Sequence, residues 1–248
     1  MEVKKEYDTA SCSVGGSEEV VQAELNEIKT IVFTAVATTG WPTRADPASA
    51  KITSLCFLAI GINQLARNDA RPNIMNKLTI YCNPEKEIHP KASEASGLTN
   101  EDLIDCPTFD QQARNLVEFM KNLPQPIRLV AHQGDIFHFK LLFLHLSRTI
   151  PVSELRGIFC TDSLRVAKAM APQLRSKALD ELHKLVGGQP IVGAEGRCQM
   201  LLDIIRALTS DQLEEFITLC KRIKCSFFET RFKDLENNLL GEGEIGRM

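Results

Sequence analysis

No run of this chain approaches the roughly 20 consecutive apolar residues that a bilayer-spanning helix needs, so no membrane partner is expected. The first residues, MEVKKEYDTASCS, lack the apolar core of a secretory signal. An excess of positive charge is missing too. Lys and Arg number 29 against 32 Asp and Glu, with a net charge of −3 and a pI near 6.0. No global basic field therefore recruits nucleic acid, although local basic patches are compatible with this balance. The eight cysteines contain no CxxC, and Cys220-x4-Cys225 has no histidine nearby, which argues against a structural zinc. Cys56, Cys82 and Cys160 fall inside apolar patterns and read as buried free thiols. A reduced, intracellular setting is expected, in cytoplasm, nucleus or both. Internal repeats, low-complexity tracts and a Pro/Gly-rich interdomain linker are absent as well.

What is present suits one generous domain: 248 residues, 44% hydrophobic and 25% charged. Residues 1–28 read as a flexible segment with a possible short helix near 17–28, residues 29–228 as the domain, and 229–248 as a charged tail. The β-branched run at 30–36 predicts a strand. The nearly continuous apolar stretch at 51–61 predicts another, covered on both faces. A third strand is expected over 77–83, closed by Pro84, after a polar connection at 62–76. From there the texture changes to helices at 99–104 and 108–121, a short buried strand at 127–131, a helix at 138–149 and a strand near 156–160. Helices follow at 163–170, 176–186 and 193–207. A last helix opens at Thr209, where Thr-x-x-Gln212 fits a capping box. Three successive strands, then alternating helix and strand, imply an α/β fold whose mixed central sheet is flanked by helices.

One stretch organises the chain: Thr30-Ile-Val-Phe-Thr-Ala-Val-Ala-Thr-Thr-Gly-Trp-Pro42, a strand running into a sharp turn. Ala35 and Ala37, two apart, face the same side of it. Phe33-Thr-Ala-Val-Ala-Thr-Thr-Gly-Trp-Pro42 resembles the F-L-D-L-E-A-T-G-L-P pattern of the three-prime repair exonucleases, the animal branch of the DEDDh (DnaQ-like) exonucleases. Lys77-Leu-Thr-Ile-Tyr-Cys-Asn-Pro84 with Lys91-Ala-Ser-Glu-Ala-Ser-Gly-Leu98 is similar to that family's KLTL…P…KASEITGL. Leu129-Val-Ala-His-Gln-Gly-Asp-Ile-Phe-His-Phe139 resembles LVAHNGDRYDF, Phe159-Cys-Thr-Asp-Ser-Leu164 a C-x-D-S strand end, and Ala194-Glu-Gly196 the family's H-T-A-E-G-D. The matches keep one order over roughly residues 29–206 and imply the RNase H-like fold.

The resemblance implies a mechanism in which three Asp and one Glu hold two metal ions while a His deprotonates water. Carried across residue by residue, the four carboxylates fall on Ala35, Ala37, His138 and Arg197, and the base on Val192. Alanine gives a hard divalent ion no oxygen ligand, and a guanidinium would oppose it. The expectation is therefore a pseudoenzyme with no catalytic residues, metal or cofactor. Asp135, Asp162, Glu195 and Asp203 are the carboxylates left nearby. Two roles follow. As an adaptor, the chain would act through protein partners in a nucleic-acid pathway. As a binding module, it would hold single-stranded RNA or DNA without metal in the old cleft. There the family positions match Gly40, Trp41, Ala95 and Phe137. Trp41 and Phe137 would stack bases, and Arg197 and His138 would contact phosphate. Weak residual 3′–5′ exonuclease activity is the third reading. Family members pair edge to edge through the third strand, which implies a homodimer through Leu78, Thr79, Ile80, Tyr81 and Cys82.

Overall fold

Strand β1 (Thr30–Thr38) lies in the middle of a five-stranded sheet, buried on both faces by its alternating apolar residues. A computed structural model describes residues 28–43, 46, 49–65, 74–155, 158–210 and 212–223; the expected N-terminal helix and charged tail lie outside them. The other strands are β2 (Ile52–Gly61), β3 (Asn76–Tyr81), β4 (Ile127–Ala131) and β5 (Phe159–Asp162), in the order β3-β2-β1-β4-β5. β1, β2 and β3 pair antiparallel, as a meander, whereas β4 and β5 join in parallel. Parallel pairs need a crossover, and helices supply it: α4 (Phe109–Lys121) before β4, α5 (Phe139–Leu146) before β5.

Alternation along β1 sorts its side chains between two cores. Val32 and Val36 meet Leu116, Met120, Leu142 and Phe143 of α4 and α5. Ile31, Phe33 and Ala35 meet the opposite layer, formed by α6 (Ser163–Met170), α7 (Leu179–Leu185), α8 (Gly193–Thr209) and α9 (Leu213–Arg222). The alternation on both faces is the pattern of a doubly covered strand. Shorter helices complete the chain: α1 (Ile62–Leu65), α2 (Pro90–Ser96) and α3 (Asn100–Leu103). α2 was not foreseen in the motif that carries it. Pro90 opens it at a position that lacks an N–H to lose, and Gly97 closes it in the left-handed region at φ 73°. Among the described residues no helix is long and apolar enough to cross a membrane.

The capping box expected at Thr209 does not form. Thr209 is fully buried as the last residue of α8, its hydroxyl donates back to the Arg206 carbonyl, and α9 starts only after Gln212. The third strand likewise ends two residues earlier than expected, at Tyr81: Cys82 is buried past it, its N–H donating to the Thr53 carbonyl. The other thiols named from the sequence, Cys56 and Cys160, are buried and free.

The core also holds an arginine. Arg128 on β4 is 1% exposed. Its Nη1 donates to the Cys220 carbonyl at 2.6 Å and to Thr161 Oγ1 at 3.1 Å, and the guanidinium lies 5.4 Å from the Phe159 ring centroid. Cys220 belongs to the last turn of α9, so the guanidinium meets a helix C-terminus, where a cation is favoured. Arg128→Ala removes these bonds and leaves a void, a cost of about 3 kcal/mol. Urea unfolding checks this, and a loss below about 1 kcal/mol would show that the contact does not hold α9 to the sheet.

Candidate nucleic-acid interface

The site grows from an early end to strand pairing. β1 and β4 stay in register only from Thr30↔Ile127 to Phe33↔Val130, so the last part of β1 projects beyond its parallel neighbour. The main-chain donor left without a strand partner there is satisfied by a side chain: the Val36 N–H donates to Nδ1 of His138 at 3.1 Å. A π-helical turn, Gly134–His138, delivers that ring. Such turns are rare and often mark functional sites. Gln133 leads into it at φ 58°, a left-handed conformation that costs a non-glycine residue strain. Gly134 is obligatory, because a Cβ there would lie 2.2 Å from the Phe139 ring.

Beside this turn opens a cleft of about 780 Å³. Its walls come from the end of β1 with Gly40 and Trp41, from α2, from the π-turn and from the start of α8. Trp41, Ala95, Phe137, His138 and Arg197, the five candidates for nucleic-acid contact, all line it, with Ala37 on the floor. Trp41 is 73% exposed. Its ring centroid lies 4.7 Å from that of Phe137, with planes tilted by 55°. Rings in direct contact admit no base between them, so the pair forms one platform rather than a clamp. Ala95 is exposed on α2, and Val192, at the N-cap of α8, is exposed outside the cleft lining.

Charge on the walls leans positive. Lys86, Lys91 and Arg197 line the cleft against the single carboxylate of Glu87. Lys86 is held by the Ser49 carbonyl at 2.8 Å. Arg197, half-buried on the second turn of α8, makes no ion pair or hydrogen bond with a described residue. Lys86 and Lys91 were not picked out from the sequence. Lys91 stood in a quoted motif, but only the α2 geometry turns that segment toward the cleft. Lys140, just after the π-turn in sequence, does not line the cleft.

His138 differs from expectation. Burial, with the nearby Arg197 charge, pushes its pKa down to about 3, so the ring is neutral and offers only its Nε2–H. It is a neutral donor, not a cation for phosphate. His132 is held low by burial as well, its Nδ1 sharing a hydrogen bond of 3.0 Å with Ser163 Oγ.

The donor set here does not fit a pair of hard divalent ions. Among the described residues no group of three or more His, Cys, Asp and Glu could hold a metal ion. The carboxylates flanking the motifs are engaged elsewhere. Asp162 caps α6 and accepts from the Asp135 N–H, Asp135 pairs with Arg165, Glu195 pairs with Lys77, and Asp203 meets His183 and Gln199.

Sheet order, crossovers and flanking helices define the RNase H-like fold of DEDDh exonuclease domains. Solved structures bear this out: the nuclease domain of 3′hExo, a DEDDh family member bound to rAMP, matches 76% of this chain and 96% of its own with a TM-score of 0.57 at 13% identity. Exonuclease I of E. coli in complex with a dT13 oligonucleotide matches 76% of this chain and 42% of its own, TM-score 0.60 at 16% identity. In sequence the chain is similar to Three-prime repair exonuclease 1 of Bos taurus, 34% identical over 158 residues, which cover 58% of this chain and 49% of that protein. It is also similar to Three prime repair exonuclease 2 of Mus musculus, 33% identical over 149 residues, 57% of this chain and 62% of that one. The chain thus spans about half to three-fifths of the length of these relatives. No family model matches it. These relatives are named exonucleases, and they correct the expectation that the chain is not an enzyme. The chain is exonuclease-like in sequence and fold.

The neutrality of His138 is testable. Its folded pKa lies below the ordinary 6.5, so the unfolded chain takes up the proton first on acidification. Stability contributed by this ring is fully present above about pH 6.5 and is lost progressively as pH falls toward 3. NMR of the ring should show no titration between pH 8 and pH 5; a midpoint in that window would contradict the buried, Val36-bonded geometry.

Proposed function

We propose that this cleft binds the end of a single-stranded nucleic acid without needing a metal ion. One base stacks on the exposed face of Trp41, which Phe137 braces from behind, and Arg197 with Lys91 meets backbone phosphate. The observation that carries this reading is Arg197: a half-buried guanidinium without a protein partner among the described residues, in an open cleft beside an exposed tryptophan. A charge withdrawn from water is costly unless paired, and phosphate is the natural partner of a guanidinium fork. Stacking on an aromatic platform contributes about 1–3 kcal/mol per base whatever the base. The names of the solved neighbours support it, since one holds rAMP and another an oligonucleotide. An adaptor role is the competing reading. A closed cleft would favour it, and this one is open.

Fluorescence anisotropy with internally labelled single-stranded RNA and DNA tests the proposal. In EDTA, Trp41→Ala combined with Arg197→Glu should weaken binding at least tenfold; unchanged affinity would sink the cleft reading. Repeating the titration with Mg²⁺ or Mn²⁺ reads cleavage separately, as loss of anisotropy with time.

A second proposal concerns assembly. β3 is an outer strand of the sheet, and Tyr81 on it is 46% exposed. An unpaired edge is a template for strand addition, and we propose that two copies join there. Tyr81→Lys should convert a dimer to a monomer in light scattering; a monomeric parent chain would rule the dimer out.

A further inference from the structure

Behind the main cleft lies a second, smaller cavity of about 180 Å³. Gln133, His138 and Arg197 line both, so the two spaces meet at these residues. The inner cavity adds Ala35, Thr34 and Leu201 from the β1–α8 side, His132 after β4, and Asp180 with its neighbours at the start of α7. At about 30 Å³ per water, it holds a handful of waters or one small polar group. It is below the size usual for a whole nucleoside-like ligand.

Its polar atoms are mostly donors that lack partners among the described residues. Arg197 contributes a guanidinium with no ion pair or hydrogen bond to a described residue. His138 has its Nδ1 engaged by Val36, which leaves Nε2–H. His132 is 8% exposed, and its Nε2 is buried without a hydrogen bond. The Lys177 carbonyl influences this ring from outside hydrogen-bonding geometry. An acceptor in the cavity would select the tautomer in which the Ser163 hydroxyl donates to Nδ1 and Nε2 carries the proton. A buried polar atom without a partner calls for explanation. One ligand with several acceptor oxygens and negative charge would satisfy all three groups. Two carboxylates oppose them: Asp180, which lines the cavity but is exposed and screened by solvent, and the buried Asp162, which acts on His132 from outside the lining and already accepts from the Leu164 and Asp135 N–H groups.

We infer that the inner cavity takes a terminal phosphate monoester of the nucleic acid whose base stacks in the outer cleft. The inference rests on the cleft reading and goes beyond it, by making the protein a reader of phosphorylated ends. A monoester fits better than a chain phosphate for two reasons. It carries about −1.5 to −2 charge at pH 7, against −1 for a diester, and the small cavity suits a chain terminus better than a strand passing through. The phosphate is held by Arg197 as the charged fork and by two neutral imidazole N–H groups. Either end of a strand can present this chemistry, so both must be compared.

The experiment uses the full chain in EDTA and three internally labelled oligonucleotides of one sequence, ending in a 3′-phosphate, in a 5′-phosphate, or in hydroxyls at both ends. One phosphorylated form should bind at least tenfold tighter than the hydroxyl form, and which one it is assigns the end. His132→Phe should cut that preference to less than threefold and leave hydroxyl-ended affinity unchanged. Should His132→Phe fail to fold, Asp180→Asn, at an exposed position, should raise the preference two- to threefold. Equal affinity of the parent chain for all three ends overturns the inner-site inference and leaves the cleft reading standing. No binding of any oligonucleotide overturns both.

Discussion

The Val36–His138 hydrogen bond is the contact around which this site is built. A central strand longer than its parallel neighbour would leave a main-chain N–H unpaired inside the protein, which is costly. His138 fills that vacancy from 102 residues away. To reach it, the chain after β4 must double back at once, through a left-handed Gln133, a Gly134 with no room for a side chain, and a π-turn. The same turn swings Phe137 against Trp41. One unsatisfied amide thus accounts for the shape of the floor, the neutrality of the buried ring and the platform at the cleft mouth.

Electrostatics then separates the two notable arginines. Arg128 is wholly buried, and its hydrogen bonds run to the Cys220 carbonyl at the end of α9 and to Thr161 on β5, so its role is architectural. Arg197 is only half-buried and meets no described partner. Its field helps to keep His138 and His132 unprotonated. The outcome is a cleft with one guanidinium, two neutral imidazoles and two lysines in its walls. That set suits oxygen-rich anions and does not suit a hard metal ion.

Much of the architecture was legible in the chain. The β-branched run from Thr30, the doubly apolar stretch from Ile52 and the buried pentapeptide at Ile127 each declared a strand, because their periodicity reports which faces are covered. Order along the chain then implied the mixed sheet. The motifs around Trp41, Phe137 and Arg197 pointed to residues that the fold brings to one cleft. Boundaries were less legible. Thr209 carried a capping signature, yet the burial of its hydroxyl at the end of α8 outweighed that local preference.

What the sequence determined by itself was fold class and the list of residues near the site, since these follow from local pattern and order. What only the tertiary structure decided was what those residues are. His138 reads as a titratable cation in the chain and is a neutral donor in the fold, because burial and a main-chain amide hold it so. Trp41 and Phe137 read as two stacking faces and are one platform, because 4.7 Å separates them. His132 reads as a motif residue and becomes, with Arg197, the lining of an inner cavity. Protonation, contact distance and the lack of a partner depend on groups distant in the chain, and no local pattern encodes them.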